Sequence, residues 1–268
     1  MGQECNDLLG KLTAKKFVLL TKRGNASIRL ALKLAKSLGY RGVLLQDQGG
    51  WLTYRQFSEK ESMEWKELAT DRGIISPDTL EAHHDCILLI NSLPAYSFHQ
   101  DMKPISDVCK KNNIFLINDA SGSIGTDAAK FGDVALGSFG LDKPVNLGGG
   151  GFVAADKEEH LDFLKKHNEE PDFDTDRLLV ALKGLEARLM HLNNLRNKLI
   201  QALEATEFAR NIIRKEDKGI NLIASFGTDA EKEKLIKLAE QFGLEYTLCP
   251  REIRVLENAV CFEIKRLQ

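Results

Sequence analysis

Long apolar runs are missing from this sequence. No stretch approaches the roughly 20 apolar residues that a membrane-spanning helix needs, so no membrane partner is expected. The opening residues, MGQECNDLLGKL, lack the apolar segment of a secretory signal. Asn6 stands where a myristoylation motif needs serine or threonine. A strong charge of one sign is missing too. The 268 residues carry a formal net charge of −2. Lysines alternate with acids along apparent helices, which is the pattern of a solvated face, so no nucleic-acid partner is expected. Cysteine is scarce and scattered. Cys5, Cys86, Cys109, Cys249 and Cys261 form no Cys-x-x-Cys pair, which fits free thiols in a reducing cytoplasm. His83-His84-Asp85 suggests a metal at first sight, but adjacent residues at a strand start point to opposite faces. No third ligand follows at useful spacing, so no metal is expected. Gly148 to Gly151 spell neither a P-loop nor a dinucleotide fingerprint.

What is present is an ordinary globular composition, 43% hydrophobic and 28% charged, long enough for one large and one small domain. Short apolar runs at Phe17–Leu20, Gly42–Gln46, Cys86–Asn91, Ile114–Ile117, Val134–Leu136 and Phe152–Ala155 read as buried strands. Helical spacing separates several of them, at residues 28–38, 105–111 and 156–167. Strand, helix and strand in succession define parallel βαβ units and an α/β fold. Asn168-Glu169-Glu170-Pro171-Asp172 is the most linker-like stretch. It divides the chain into a large domain, 1–168, and a small C-terminal α/β domain, 169–268. The second part predicts one long helix over 175–208, then strands near 220–226 and 260–264 with a helix over 229–242 between them.

Chemistry concentrates between Phe115 and Val153. Asp119 ends one strand, small residues follow, and Lys143 comes shortly after the next strand. Ligands of open α/β sheets bind beyond the carboxyl ends of the strands, so an acid and a lysine placed this way outline a cofactor site. Thr21 to Ser27 opens a helix with a glycine and small polar residues. Its first amides have no partner within the helix and favour an anion. A plain N-cap by Asn25 or Thr21 would read the same way.

The motifs resemble a known family. Asp119-Ala120-Ser121, Gly132-Asp133, Ser138-Phe139-Gly140-Leu141-Asp142-Lys143 and the glycines 148–151 follow the order and spacing of the fold-type I pyridoxal-phosphate (PLP) enzymes. They are most similar to the DegT/StrS-type aminotransferases of sugar nucleotides. The resemblance implies a three-layer αβα large domain with a small C-terminal lobe. It implies PLP as cofactor, joined to Lys143 as a Schiff base, with Asp119 on the ring nitrogen. Gly24, Asn25, Ala26 and Ser138 would hold the phosphate, and Ser121 would line the pocket. Trp51, or failing it Tyr54, would stack on the ring. Arg254 would bind a substrate carboxylate. The family's glutamine three residues after the aspartate is replaced by Gly122.

The activity implied is transamination, from a small-molecule amino donor to a keto acceptor that includes the sugar nucleotides, in a cytoplasmic homodimer. Two other readings stay open. One is a different fold-type I chemistry, either selenocysteine-synthase-like or a lyase or desulfurase. The other is a non-catalytic remnant acting as a binding subunit.

Overall fold

Six short apolar segments and one charged one build the central sheet. In the computed structural model, which describes residues 2–267, they are β1 (Phe17–Thr21), β2 (Gly42–Gln46), β3 (Glu64–Leu68), β4 (Ile87–Asn91), β5 (Phe115–Asp119), β6 (Val134–Ser138) and β7 (Gly151–Ala155). They lie in the order β1-β7-β6-β5-β4-β2-β3. Neighbours from β3 to β6 are parallel, while β7 runs antiparallel to both β1 and β6.

Successive strand residues point to opposite faces, and both faces are covered. Ile87, Leu89, Ile117, Val134 and Leu136 pack against α2 (Gly24–Ser37) and α5 (Glu158–His167). Leu88, Ile90 and Leu116 pack against α4 (Met102–Lys111). Val18, Leu20, Phe152 and Ala154 meet α1 (Gly2–Thr13) and α6 (Thr175–Lys183). Each fully buried Leu or Ile contributes about 1.5–3 kcal/mol. The result is the three-layer arrangement expected from the pattern of runs, with helices on both sides of a mostly parallel sheet.

A second, three-stranded antiparallel sheet has the order β8-β10-β9. Its strands are β8 (Leu222–Ser225), β9 (Tyr246–Cys249) and β10 (Ala259–Phe262). It packs beneath α7 (Leu185–Glu204) and α8 (Asp229–Gln241). A reciprocal cap starts α8, since Thr228 Oγ1 accepts from the Glu231 amide while Glu231 accepts from the Thr228 amide. One feature differs from expectation. The helix predicted over 175–208 is interrupted at Gly184 and ends at Glu204, where glycine weakens helical order. The polar stretch after Phe57 contains the end of α3 (Thr53–Lys60) and β3. In β3 only Leu68 is buried, so no apolar run announced it.

No helix among the described residues is long and apolar enough to cross a membrane.

Candidate active site

The sheet brings its chemistry to one edge. Asn91, Asp119 and Ser138 are the last residues of β4, β5 and β6, at the carboxyl ends of adjacent parallel strands. The N-terminus of α2 arrives beside them. Together with Lys143, Trp51, Tyr96 and Arg254 they line a cavity of about 210 Å³.

Asp119 is held in a fixed orientation. Its Oδ1 accepts from the Ser121 amide at 2.9 Å and its Oδ2 from the Tyr54 hydroxyl at 2.6 Å. Burial and the Asp119 charge both push the Tyr54 hydroxyl well above its usual range. It therefore stays protonated and donates. Tyr54 thus lies behind the carboxylate and supports it, while Trp51 is the aromatic at the mouth. The Trp51 indole donates to Asn25 Oδ1 at 3.1 Å.

The start of α2 forms an anion cradle. Arg23 precedes the helix in an extended conformation, and no side chain caps it. The Gly24 and Asn25 amides have no partner among the described residues. The Ala26 amide instead donates to the Arg23 carbonyl at 2.9 Å, and Ala26 lies outside the cavity lining. Gly24 and Ser138 meet so closely that a Cβ on Gly24 would sit 2.5 Å from Ser138 Cβ. Only glycine lets the helix start reach β6. Gly24→Ala is expected to cost about 1–3 kcal/mol through overpacking, readable as a lower urea midpoint. An unchanged midpoint would mean that this contact relaxes freely.

Lys143 follows Asp142, which has a left-handed φ of 61°. The Lys143 amine contacts the Tyr96 hydroxyl and lies 5.1 Å from the Trp51 ring centroid. Tyr96 and Ala95 are themselves left-handed, at φ 61° and 56°. Non-glycine residues held this way cost about 1–3 kcal/mol each and persist only where the surroundings enforce them. Enforcement comes from the small lobe, because the Ile220 and Asn221 amides both donate to the Tyr96 carbonyl, at 2.8 and 2.9 Å. The Gly49 amide, on the β2–α3 loop, donates to the Glu252 carbonyl at 2.6 Å.

Arg254 lines the cavity with its guanidinium already engaged. Nε and Nη2 donate to Glu263 at 2.7–2.9 Å, and Nη1 donates to the Ile253 carbonyl at 2.9 Å. Burial alone would raise the Glu263 carboxyl. The Arg254 charge and the Thr247 hydroxyl outweigh it and hold the group at about 2.

The structure thus gathers Gly24, Asn25, Trp51, Asp119, Ser121, Ser138, Lys143 and Arg254 around one cavity. Sequence reasoning missed Asn91 and Tyr96. The Asn91 side chain donates to the Gly49 carbonyl at 2.8 Å and accepts from the Leu93 amide at 3.1 Å, so it shapes the floor. Its signal was its place at a strand's carboxyl end, the same signal that marked Asp119. None of the five cysteines lines the cavity, and burial pushes the Cys86 and Cys109 thiols up to about 11 and 12.

Comparison with known proteins gives first the class. The architecture is that of the fold-type I PLP-dependent enzymes. An aminotransferase of the DegT DnrJ EryC1 StrS type from Brucella abortus matches with a TM-score of 0.76 and 15% identity, over 98% of this chain and 84% of its own. NtdA from Bacillus subtilis, with bound cofactor PMP, matches with a TM-score of 0.70 and 17% identity, over 99% and 73%. The GDP-4-keto-6-deoxy-D-mannose-3-dehydratase of E. coli, with bound hydrated PLP, matches with a TM-score of 0.75 and 13% identity, over 97% and 86%. Within that class, residues 88–195 match the model of the DegT/DnrJ/EryC1/StrS aminotransferase family. The resemblance read from the motifs around Asp119 and Lys143 therefore holds. No curated protein matches the sequence.

Proposed function

We propose that this protein is a PLP-dependent aminotransferase that moves an amino group from an amino-acid donor to a keto acceptor. One observation carries the reading. A buried carboxylate, a lysine amine and two unpartnered helix-start amides face one cavity. That donor set suits PLP group by group. The carboxylate suits a protonated ring nitrogen, the amine suits an aldehyde, and the amides suit a phosphate.

Each residue then has a task. The Gly24 and Asn25 amides and the Ser138 hydroxyl hold the phosphate. Trp51, which lines the cavity, would stack on the cofactor ring. Asp119, steadied by Tyr54 and the Ser121 amide, keeps a positive charge on the ring nitrogen. PLP, when bound, supplies an electron sink for the carbon that loses its proton. Lys143 takes that proton on Nζ and returns it one position away, as general base and then general acid. Its contact with the Tyr96 hydroxyl aims the amine. Arg254, its charge balanced by Glu263, lines the cavity and offers a donor carboxylate the N–H groups that Glu263 and the Ile253 carbonyl leave free. The acceptor belongs to the keto-sugar nucleotides by likeness to the matched family. The enzyme works as a cytoplasmic homodimer, again by that likeness.

The experiment is a half-reaction. Protein saturated with PLP is mixed with L-glutamate, and pyridoxamine phosphate and 2-oxoglutarate are measured. Equal amounts of both are expected. Asp119→Asn should slow the half-reaction about 10²-fold or more, the scale of a lost preorganised charge. PLP binding without pyridoxamine phosphate from any of a panel of amino acids would point to another PLP chemistry. No PLP binding at all would favour the non-catalytic reading.

A further inference from the structure

A second lysine stands behind Lys143. Lys265 lies just past β10, on the single helical turn 264–266, and its side chain is only 6% exposed. Its Nζ donates to the Asp142 carbonyl at 3.2 Å, one residue before Lys143. The same Nζ sits 4.8 Å from the Tyr96 ring centroid, while the Lys143 Nζ sits 4.7 Å from it. The two amines therefore lie under 10 Å apart, beside one aromatic ring.

The backbone of Lys265 is fixed independently. Its amide donates to Asn221 Oδ1 at 3.2 Å, and its carbonyl accepts from Arg188 at 3.3 Å. Glu263 is 3.7 Å from the Lys265 amine, but its oxygens already serve Arg254, Thr247 and Asn221. The charged groups acting on Lys265 are thus Glu263, Arg254, Lys143 and Asp142. Burial, outweighing Glu263, leaves the Lys265 amine at about 8. The cavity lining does not include it.

We propose that Lys265 is a positioning residue for Lys143. It fastens the Asp142 carbonyl, one residue before Lys143, and packs beside the Tyr96 ring whose hydroxyl the Lys143 amine contacts, so the small lobe governs the place of the reactive amine. The inference rests on Lys143 being that amine, as the proposed function has it.

The test needs no cofactor. The full-length protein is trace-acetylated with acetic anhydride across a pH series, and the Lys143 peptide is quantified by mass spectrometry. Lys265→Met removes donor and charge, Lys265→Gln keeps a donor, and Lys265→Arg keeps both. Without its hold on the Asp142 carbonyl, Lys143 is freer to leave the Tyr96 hydroxyl for solvent. Lys265→Met should therefore be labelled at Lys143 about three- to tenfold faster at every pH, with Lys265→Gln between it and the wild type. Lys265→Arg should restore the wild-type profile. Superimposable profiles in all four proteins overturn the proposal. Where Lys265→Met fails to fold, Lys265→Thr, too short to reach the Asp142 carbonyl, takes its place, and a wild-type labelling rate there overturns the proposal. Failure of the protein to bind PLP would count against the proposed function and would leave this readout intact.

Discussion

Lys143→Ala is expected to leave a folded protein that forms no borohydride-stable adduct with PLP and loses about 10⁴-fold in half-reaction rate. A positioned acid–base group contributes about 10²–10⁴-fold, and the upper end is expected here because the proposed function gives the same amine the anchoring of the cofactor. The fold should survive, since Lys143 lies on the loop between β6 and β7 and takes no part in the hydrophobic clusters. An absorbance spectrum with added PLP, before and after borohydride, followed by peptide mapping, decides the point. An adduct that persists in Lys143→Ala would place the reactive amine elsewhere, and Lys265 would be the first peptide to search. Small primary amines added to the variant should restore part of the rate by supplying the missing base.

Glu263→Ala is expected to be the most destabilising single change near the site, by about 3–5 kcal/mol. It leaves Arg254 and Lys265 buried, adjacent and without a counter-ion. For a chain of this size such a loss lowers the melting temperature by roughly 10 °C. The pH dependence gives an independent measure. The Glu263 carboxyl sits at about 2, below its ordinary 4.5. The folded form therefore binds this proton more weakly than the unfolded form does. The stabilisation is fully present above about pH 4.5 and is lost as pH falls towards 2, amounting to about 3 kcal/mol. Urea unfolding between pH 6 and pH 2.5 should show a steeper fall for wild type than for Glu263→Gln. Parallel curves would mean that another carboxylate carries the acid sensitivity.

The reach of the sequence differed from element to element, for physical reasons. β2, β4, β5 and β6 lie inside the sheet with helices on both faces, so they had to be continuous apolar runs and could be read directly. β3 and β9 are edge strands, the first exposed at all but Leu68 and the second at every other residue, and no such run marks them. Asp119 and Lys143 were legible because strand ends and loop spacing are local. The Arg254–Glu263 pair and the crowding of Lys143, Lys265 and Arg254 around Tyr96 were not. They join four separate segments, and nothing in the stretch Pro94 to Tyr96 predicts two left-handed residues. Asn91 could have been found by applying to β4 the reasoning already applied to β5.

The pairing of β1 sets an order of assembly on the ribosome. Among the described residues its only sheet neighbour is β7, with Thr21 opposite Gly151. Cys5, Leu9, Val18 and Leu20 bury against Phe152, Leu178 and Leu182. A nascent chain emerging at ~5–20 residues per second would hold this strand without its neighbour for roughly seven to twenty-six seconds, while β2, β4 and β5 already have theirs. The amino-terminal helix and strand are therefore the last part of the large sheet to be locked, although they are the first to be made. Until then they expose an open strand edge and four apolar side chains, the surface that holding chaperones engage.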